Sequence, residues 1–488
     1  MGSVGAWTAN VLADVCVVGA GPAGLTVTRE LAARGVAVCL LEAGGEDVDR
    51  RTQRQSRGES DGYPIHRLDH SRVRAVGGTL RHHRVAEQGW MSRPLDPIDF
   101  EARDWLPESG WPFDRAHLEP YYERAAALCG IPVYDDDLQE FRRRLPAGIG
   151  ALQGEELETT VFRQPTLALV EGRRDLTASP LVQLMPRTRV VDLTTDGTGR
   201  RVDGVVAVGA DGRRLLVRAR AVVLATGGIE NARLLLLADG GAGIGNEHDL
   251  VGRYFAERML FPAGVLLLSP EARAAADALG PVDGLIGALR LREEVQRDLG
   301  LHNCTLHVAS RLDVMASASG QSISTLRKAW GRRPLLPHLG SHVGNAVAAV
   351  GQAPGLARRA LGRGRRTLVV GHMGEQAPNP ESRVRLGTGR DDLGMPVARV
   401  TWQMTEADGR AAEASVRVLD RAVRASGAGH LEWTARLDST TLVTGAHHHL
   451  GTTRMHADPR QGVVDPDSRV HSMDNLYVAG SSVFPTYG

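Results

Sequence analysis

Lysine is almost missing from this chain of 488 residues: Lys328 stands alone, and arginine carries nearly all the positive charge. Schiff-base chemistry on a lysine amine therefore has a single candidate. Cysteine is scarce as well. Cys16, Cys39, Cys129 and Cys304 are scattered, and the first two sit in apolar runs. They read as reduced packing residues in a cytoplasmic protein rather than as a disulfide framework. Aromatic residues make up only 4 %, which disfavours an aromatic-lined pocket. Charge of one sign is missing too: 58 basic and 57 acidic residues leave +1, so nothing points to nucleic acid or an anionic membrane. No apolar run nears the roughly 20 residues of a membrane span. The N-terminus, MGSVGAWTAN, has no basic region ahead of an apolar core and does not read as a signal peptide. What is left is a soluble globular chain, 42 % apolar and long enough for two or three domains.

The strongest positive signal lies between Ala13 and Gly45. An apolar run, Val15-Cys16-Val17-Val18, predicts one buried strand. Gly19-Ala20-Gly21-Pro22-Ala23-Gly24 then fits G-x-G-x-x-G, Leu25 to Arg34 predicts a helix closed by Gly35, and Val36 to Leu41 predicts a second strand ending at Glu42. Each residue type has a use in dinucleotide binding. Gly19 permits the tight turn, Gly21 lets backbone approach a pyrophosphate, and Gly24 lets the helix pack on the sheet. The phosphates would sit on free N–H groups at the helix N-terminus. Glu42 follows Gly24 at the distance where an acid accepts hydrogen bonds from a ribose. The alternative is a glycine-rich turn in some other parallel sheet.

Further along, residues 47 to 70 are polar and read as a loop, and Val76-Gly77-Gly78-Thr79 suggests backbone close to a ligand. A helix is predicted from Leu118 to Leu128. Strand-like runs at Thr188-Leu193, Val202-Val208 and Leu215-Val217 are separated by turns. Ala221 to Ala225, Thr226-Gly227-Gly228 and a helix from Glu230 to Leu237 make a second strand–glycine–helix junction, where ligands bind in a doubly wound sheet. Residues 263 to 400 carry little pattern beyond helices at Arg273-Leu279 and Gly355-Arg365, and 406 to 425 predict a long helix. Near the end come His447-His448-His449-Leu450-Gly451-Thr452-Thr453-Arg454-Met455 and a strand, Asn475 to Ala479, turning at Gly480-Ser481-Ser482. The three histidines have no ligand spacing that predicts a metal, although a surface or metal-binding cluster is the other reading of them.

Five ordered blocks carry a family likeness: VCVVGAGPAGLTVTRELAARGVAVCLLEAGG, VGGT, ATGGIENARLLL with VGRYF, HHLGTTRM, and DNLYVAGSSVFPT. Together they resemble the glucose–methanol–choline (GMC) family of FAD-dependent oxidoreductases over nearly the whole chain. RPLDPIDFEARDW, SGWP, LEPYYERA and EQAPNPESRVRLG are similar to the branch with pyranose oxidase and FAD-dependent sugar dehydrogenases. The resemblance implies an α/β fold: a Rossmann-like FAD-binding domain from 10–100, 181–262 and 440–488, and an α+β substrate domain from 101–180 and 263–439, built on an antiparallel sheet. It implies FAD on Gly19, Gly21, Pro22, Ala23, Gly24, Glu42 and Ala43, main-chain contact at Val190, and further contacts from Ala225 and Thr226. Gly78 and Thr79 would pass the isoalloxazine ring, and Gly480 and Ser481 would offer it backbone N–H groups. Many members have an acid where Gly480 stands.

The family's catalytic histidine falls on His448, with His449 as the backup. It would take the hydroxyl proton while the alcohol carbon gives hydride to flavin N5, a role suited to an ordinary pKa of about 6.5. The family's second His or Asn, five residues after Thr486, would fall beyond Gly488. Pyranose oxidase links its flavin through a histidine that matches His82, with His83 beside it, but the tryptophan that follows there is missing here. The expected substrate is an alcohol group on a sugar, glycoside or polyol, an antibiotic sugar or aminoglycoside among them. Oxygen, a quinone or a carrier protein would take the electrons. A non-sugar alcohol, or a flavin-binding lyase or non-redox protein, is the alternative.

Overall fold

The computed structural model describes residues 9–63, 65–81, 91–131, 155–164, 172, 176, 178–277, 284–312, 366–433 and 447–488. In chain order the strands are β1 (Ala9–Val18), β2 (Val38–Leu41), β3 (Glu59–Gly62), β4 (Leu157–Arg163), β5 (Val182–Met185), β6 (Thr188–Thr195), β7 (Val202–Gly209), β8 (Arg214–Leu224), β9 (Met259–Leu268), β10 (Leu285–Leu291), β11 (Cys304–Leu312), β12 (Arg366–Gly374), β13 (Arg383–Arg390), β14 (Pro396–Trp402), β15 (Gly429–Trp433) and β16 (Leu476–Val478). The helices are α1 (Pro22–Ala32), α2 (Arg50–Arg54), α3 (Arg115–Leu128), α4 (Gly227–Leu237), α5 (Pro270–Asp277), α6 (Glu293–Leu299) and α7 (Glu406–Ala425).

Among the described residues the strands form three sheets. The first has the order β5-β2-β1-β8-β7-β6, with β16 pairing the far end of β8. Its β5, β2, β1, β8 and β16 neighbours are parallel, and β7 and β6 add an antiparallel wing. The parallel strands are buried on both faces, which is why β2 reads as an unbroken apolar run. β8 joins the two predicted strands around Leu215 and Ala221 into one, because Arg218 and Arg220 alternate outward to solvent and leave the ladder intact.

The second sheet is antiparallel, in the order β15-β9-β12-β11-β10-β4. Its inner face, with Leu157, Leu289, Leu306, Val370 and Leu266, is buried in the main core, and α7 packs against β15, β12 and β4. α7 begins at a capping box, Thr405 with Asp408, and buries Val416, Leu419 and Val423. Each such side chain contributes about 1.5–3 kcal/mol. The opposite face holds Phe162, Ala288 and Met373, with Leu260 and Ile286 beside them.

The third sheet, β13-β14-β3, corrects the loop expected at 47–70. There α2 starts at Asp49, whose side chain accepts from Thr52 N at 2.8 Å, and β3 runs parallel to β14. β3 reads Glu-Ser-Asp-Gly. It is held by charge rather than apolar burial: Arg399 Nε donates to Asp61 at 2.7 Å, and Gly389 N donates to Glu59 at 2.7 Å. The expected domain boundary at 262 falls inside β9. The expected helix at Gly355–Arg365, and His82 and His83, lie outside the described residues.

Candidate active site

The glycine turn sits at the C-terminal edge of the parallel strands. Gly19 has φ +99°, and a Cβ there would meet Ala225 O at 2.7 Å, so β1 and the end of β8 close on each other. A Cβ on Gly24 would overlap Gly19 O. Pro22 opens α1 behind an extended Gly21, and no side chain caps the helix. Among the described residues no side chain takes the first-turn N–H groups, and there is open space above Gly21. This is an anion cradle of the kind a pyrophosphate fills. Ala23 stands in the first turn, and a Cβ on Gly480 would touch its Cβ at 3.6 Å. A Cβ on Gly78 would lie 2.9 Å from Gly21 Cα, and Gly77 N donates to Ala20 O at 2.8 Å. The Gly78–Thr79 turn and the strap after β16 therefore flank the α1 N-terminus.

Glu42 is buried at the end of β2. Its Oε2 accepts Ala20 N at 2.8 Å and its Oε1 accepts Gly44 N at 2.7 Å. Burial raises its pKa. Half-exposed Ala43 follows it. Val190 is buried at a bulge in β6, two residues beyond Thr188, whose N–H donates to Glu42 O at 2.8 Å. At the second junction, Ala225 N donates to Val18 O at 2.8 Å. Thr226 is anchored through N and Oγ1 to Asn231 Oδ1, at 2.8 and 2.6 Å. Asn231 then donates to Ser482 Oγ at 2.9 Å, tying β8 to the C-terminal strap. The residues present fit FAD: the uncapped helix start, the side-chain-free cradle and the acid at the ribose distance converge at one sheet edge. Gly24→Val is expected to yield protein without flavin absorbance, because overpacking of about 1–3 kcal/mol lands on the cofactor turn itself; the visible spectrum and a thermal melt check it.

The histidine stretch is threaded across this edge. Ala256 and Leu450 form an antiparallel bridge with N···O distances of 3.2 and 3.1 Å. Two residues on, Arg258 and His448 come opposite each other. Arg258 donates to Tyr487 O at 2.9 Å and to Gly488 O, with its guanidinium 5.7 Å from the Tyr487 ring centre. The His448 ring opens onto a recess that protein surrounds. Enclosure first, and the Arg258 charge second, hold its pKa below the ordinary value. The ring is neutral at physiological pH and keeps a lone pair for a proton.

His449 points the other way. It is buried, with Nε2 3.3 Å from Glu257 Oε1, its ring 5.8 Å from Phe255, and its carbonyl against Gly228 and Ser481 Oγ. Glu257 also accepts His448 N at 3.2 Å. So alternation along the chain sends His448 to the recess and His449 to the frame. Glu257, Arg258 and Asn231 were not singled out from sequence. Glu257-Arg258 as a charged pair inside the otherwise apolar run from Phe255 to Phe261 was the available signal.

A family model described as FAD dependent oxidoreductase matches residues 14–246, and one described as GMC oxidoreductase matches 378–488. 6'''-Hydroxyparomomycin C oxidase of Streptomyces lividus is 24 % identical over 99 % of this chain and 88 % of its own. 2-Methyl-1,2-propanediol dehydrogenase of Mycolicibacterium austroafricanum is 25 % identical over 97 % of this chain and 91 % of its own. Pyridoxine 4-oxidase from Mesorbium loti, at 17 % identity, shares the fold with a TM-score of 0.57 over 97 % of this chain and 95 % of that one. Among the described residues no helix is long and apolar enough to cross a membrane. With the cofactor cradle, the recess histidine and these matches in agreement, the chain belongs to the GMC oxidoreductases, FAD-dependent enzymes that oxidise alcohol groups.

Proposed function

We propose that this enzyme oxidises an alcohol group on a sugar, glycoside or related polyol to a carbonyl, with His448 as the base. The observation that carries the reading is His448 itself: a neutral imidazole facing a recess, opposite Arg258 and next to the strap that reaches the FAD cradle. Bound FAD supplies the hydride acceptor. An imidazole nitrogen of His448 takes the hydroxyl proton, and the Arg258 cation favours the oxygen as it gains negative charge. Similarity to a hydroxyparomomycin C oxidase and to a diol dehydrogenase supports a polyhydroxy substrate, an antibiotic sugar among the candidates. In this reading the substrate side draws on 101–180 and 263–439 and the FAD side on 10–100, 181–262 and 440–488, with β9 running on across the boundary at 262. Oxygen, a quinone or a carrier takes the electrons. Free thiols at Cys16, Cys39, Cys129 and Cys304 support work in a reducing, cytoplasmic compartment.

The test is an anaerobic titration of the FAD-loaded protein with sugars, glycosides, aminoglycosides and simple polyols. Bleaching of the flavin by a polyhydroxy compound is the expected result. Bleaching only by aromatic or unbranched mono-alcohols would overturn the substrate class, and bleaching by no alcohol would overturn the oxidation itself.

A further inference from the structure

The bridge that sets Arg258 opposite His448 ends after one step, and a side chain ends it. Ala256 and Leu450 exchange both backbone hydrogen bonds, at 3.2 and 3.1 Å. In an antiparallel ladder the next such pair lies two residues on, so a continued ladder would give the His448 N–H to Arg258 O. That amide goes instead to Glu257 Oε2, at 3.2 Å. The direction of the His448 peptide is therefore set by the Glu257 side chain and not by the facing backbone.

Glu257 reaches the amide from the frame side. Side chains alternate along an extended chain, so Glu257 and its partner across the bridge, His449, share the face that looks away from Arg258 and His448. Glu257 is 1 % exposed there, with Oε1 3.3 Å from His449 Nε2. The backbone on both sides of this pair is fastened. The Glu257 carbonyl accepts Tyr487 OH at 3.2 Å, and the His449 carbonyl accepts Ser481 Oγ at 3.0 Å. Just before His448 the chain is strained: His447 has φ +63°, the left-handed region that a residue with a Cβ enters only where its surroundings impose it. The His447 ring lies 4.6 Å from the His66 ring. A left-handed turn ahead of His448 and a carboxylate on its own amide together fix where its Cα–Cβ bond points.

We propose that Glu257 is the positioning residue of the base: by drawing the His448 amide off the ladder, it turns the imidazole into the recess without touching the substrate. The assignment rests on the reading of His448 above. It accounts for a carboxylate sealed on the face that looks away from the recess. It also separates the roles of two adjacent charged residues, since Arg258 faces the reacting oxygen and Glu257 holds the group that takes its proton.

Two substitutions of similar length separate the acceptor from the space it fills. Glu257→Gln keeps a carbonyl oxygen for the His448 amide, and Glu257→Met does not. The readout is the rate of anaerobic flavin bleaching at saturating substrate, per bound flavin, with the flavin absorbance and thermal midpoint of each variant measured alongside. Glu257→Met is expected to slow bleaching by about ten- to hundred-fold, the scale of a displaced catalytic group, with the half-saturating concentration little changed. Glu257→Gln should recover most of that loss. In a His448→Ala background the Glu257→Met change should cost less than about two-fold, because no base is left to aim. A merely structural residue would lower both backgrounds alike. Should Glu257→Met fail to hold flavin, Glu257→Asp carries the same test, since its shorter arm leaves the amide while the charge stays. Equal losses in the two backgrounds, a Glu257→Gln enzyme as slow as Glu257→Met, or bleaching at the parent rate without the acceptor would overturn the assignment. Failure of the base reading shows up separately, as a His448→Ala enzyme that by itself bleaches at the parent rate.

Discussion

Changing His448 to alanine lowers kcat by about 10²–10⁴-fold, the usual contribution of a placed general base, while the protein keeps its flavin and its thermal midpoint. The two halves of that expectation come from different parts of the structure. His448 faces the recess and its side chain makes no hydrogen bond among the described residues, so its loss strands no buried group among them. The backbone N–H that binds Glu257 survives the substitution. His449→Ala should behave in the opposite sense. That ring is buried against Phe255 and Glu257, and losing it lowers stability and flavin retention before it touches the chemical step. A His448→Ala enzyme that turned over at the parent rate would remove the base assignment.

The pH profile adds a second readout of the same residue. Enclosure and the opposing Arg258 both disfavour imidazolium, so His448 stays unprotonated to lower pH than a free histidine. The acid limb of kcat/KM should therefore lie below about 6.5, the ordinary value. Arg258→Gln removes one of the two causes, and the limb should move up in pH. A limb that stays fixed would mean that some other group sets it.

The cofactor half of the molecule was legible in the sequence because its information is local. Val15 to Glu42 states strand, turn, helix, strand and acid within one βαβ unit, and the structure places each in that order. The long helix at 406–425 was also legible as one continuous stretch, and the structure starts it at the Thr405–Asp408 capping box. What escaped is non-local. β3 is a polar tetrapeptide with no apolar signature, and it becomes a strand only because Arg399 and Gly389 come to meet its carboxylates. The pairing of Arg258 with His448 depends on one isolated bridge between distant segments.

Behind the recess wall lies the second large effect: Glu375→Ala should cost about 3–5 kcal/mol of stability, the scale for breaking a buried ion pair from one side. Glu375 follows β12 directly and is fully buried with Arg103, at N···O distances of 2.5 and 3.1 Å. Its Oε1 also accepts Asn303 N at 2.9 Å, and Asn303 Nδ2 in turn donates to Asp96 at 3.0 Å and Asp99 at 2.9 Å. The chain's last residues are fastened to the same cluster: Thr486 Oγ1 donates to Asp99 O at 2.6 Å, and Tyr487 OH accepts Gln376 N at 2.9 Å. Removing the carboxylate strands a guanidinium with nowhere to be solvated. Replacing both partners with apolar residues, as in Arg103→Met with Glu375→Leu, should lose less than the sum of the single changes, because neither charge is then left alone. The pH dependence has a definite sign. Burial alone would raise the Glu375 pKa, but Arg103 overrides it and holds the carboxyl below its ordinary value of about 4.3. The stabilisation is therefore complete above that value and is lost as pH falls through the lower folded-state pKa. Thermal midpoints of parent and Glu375→Ala proteins should stay well apart from about pH 5 to 8 and converge only in stronger acid. A gap that closed toward neutral pH would place the stabilisation on some group other than this pair.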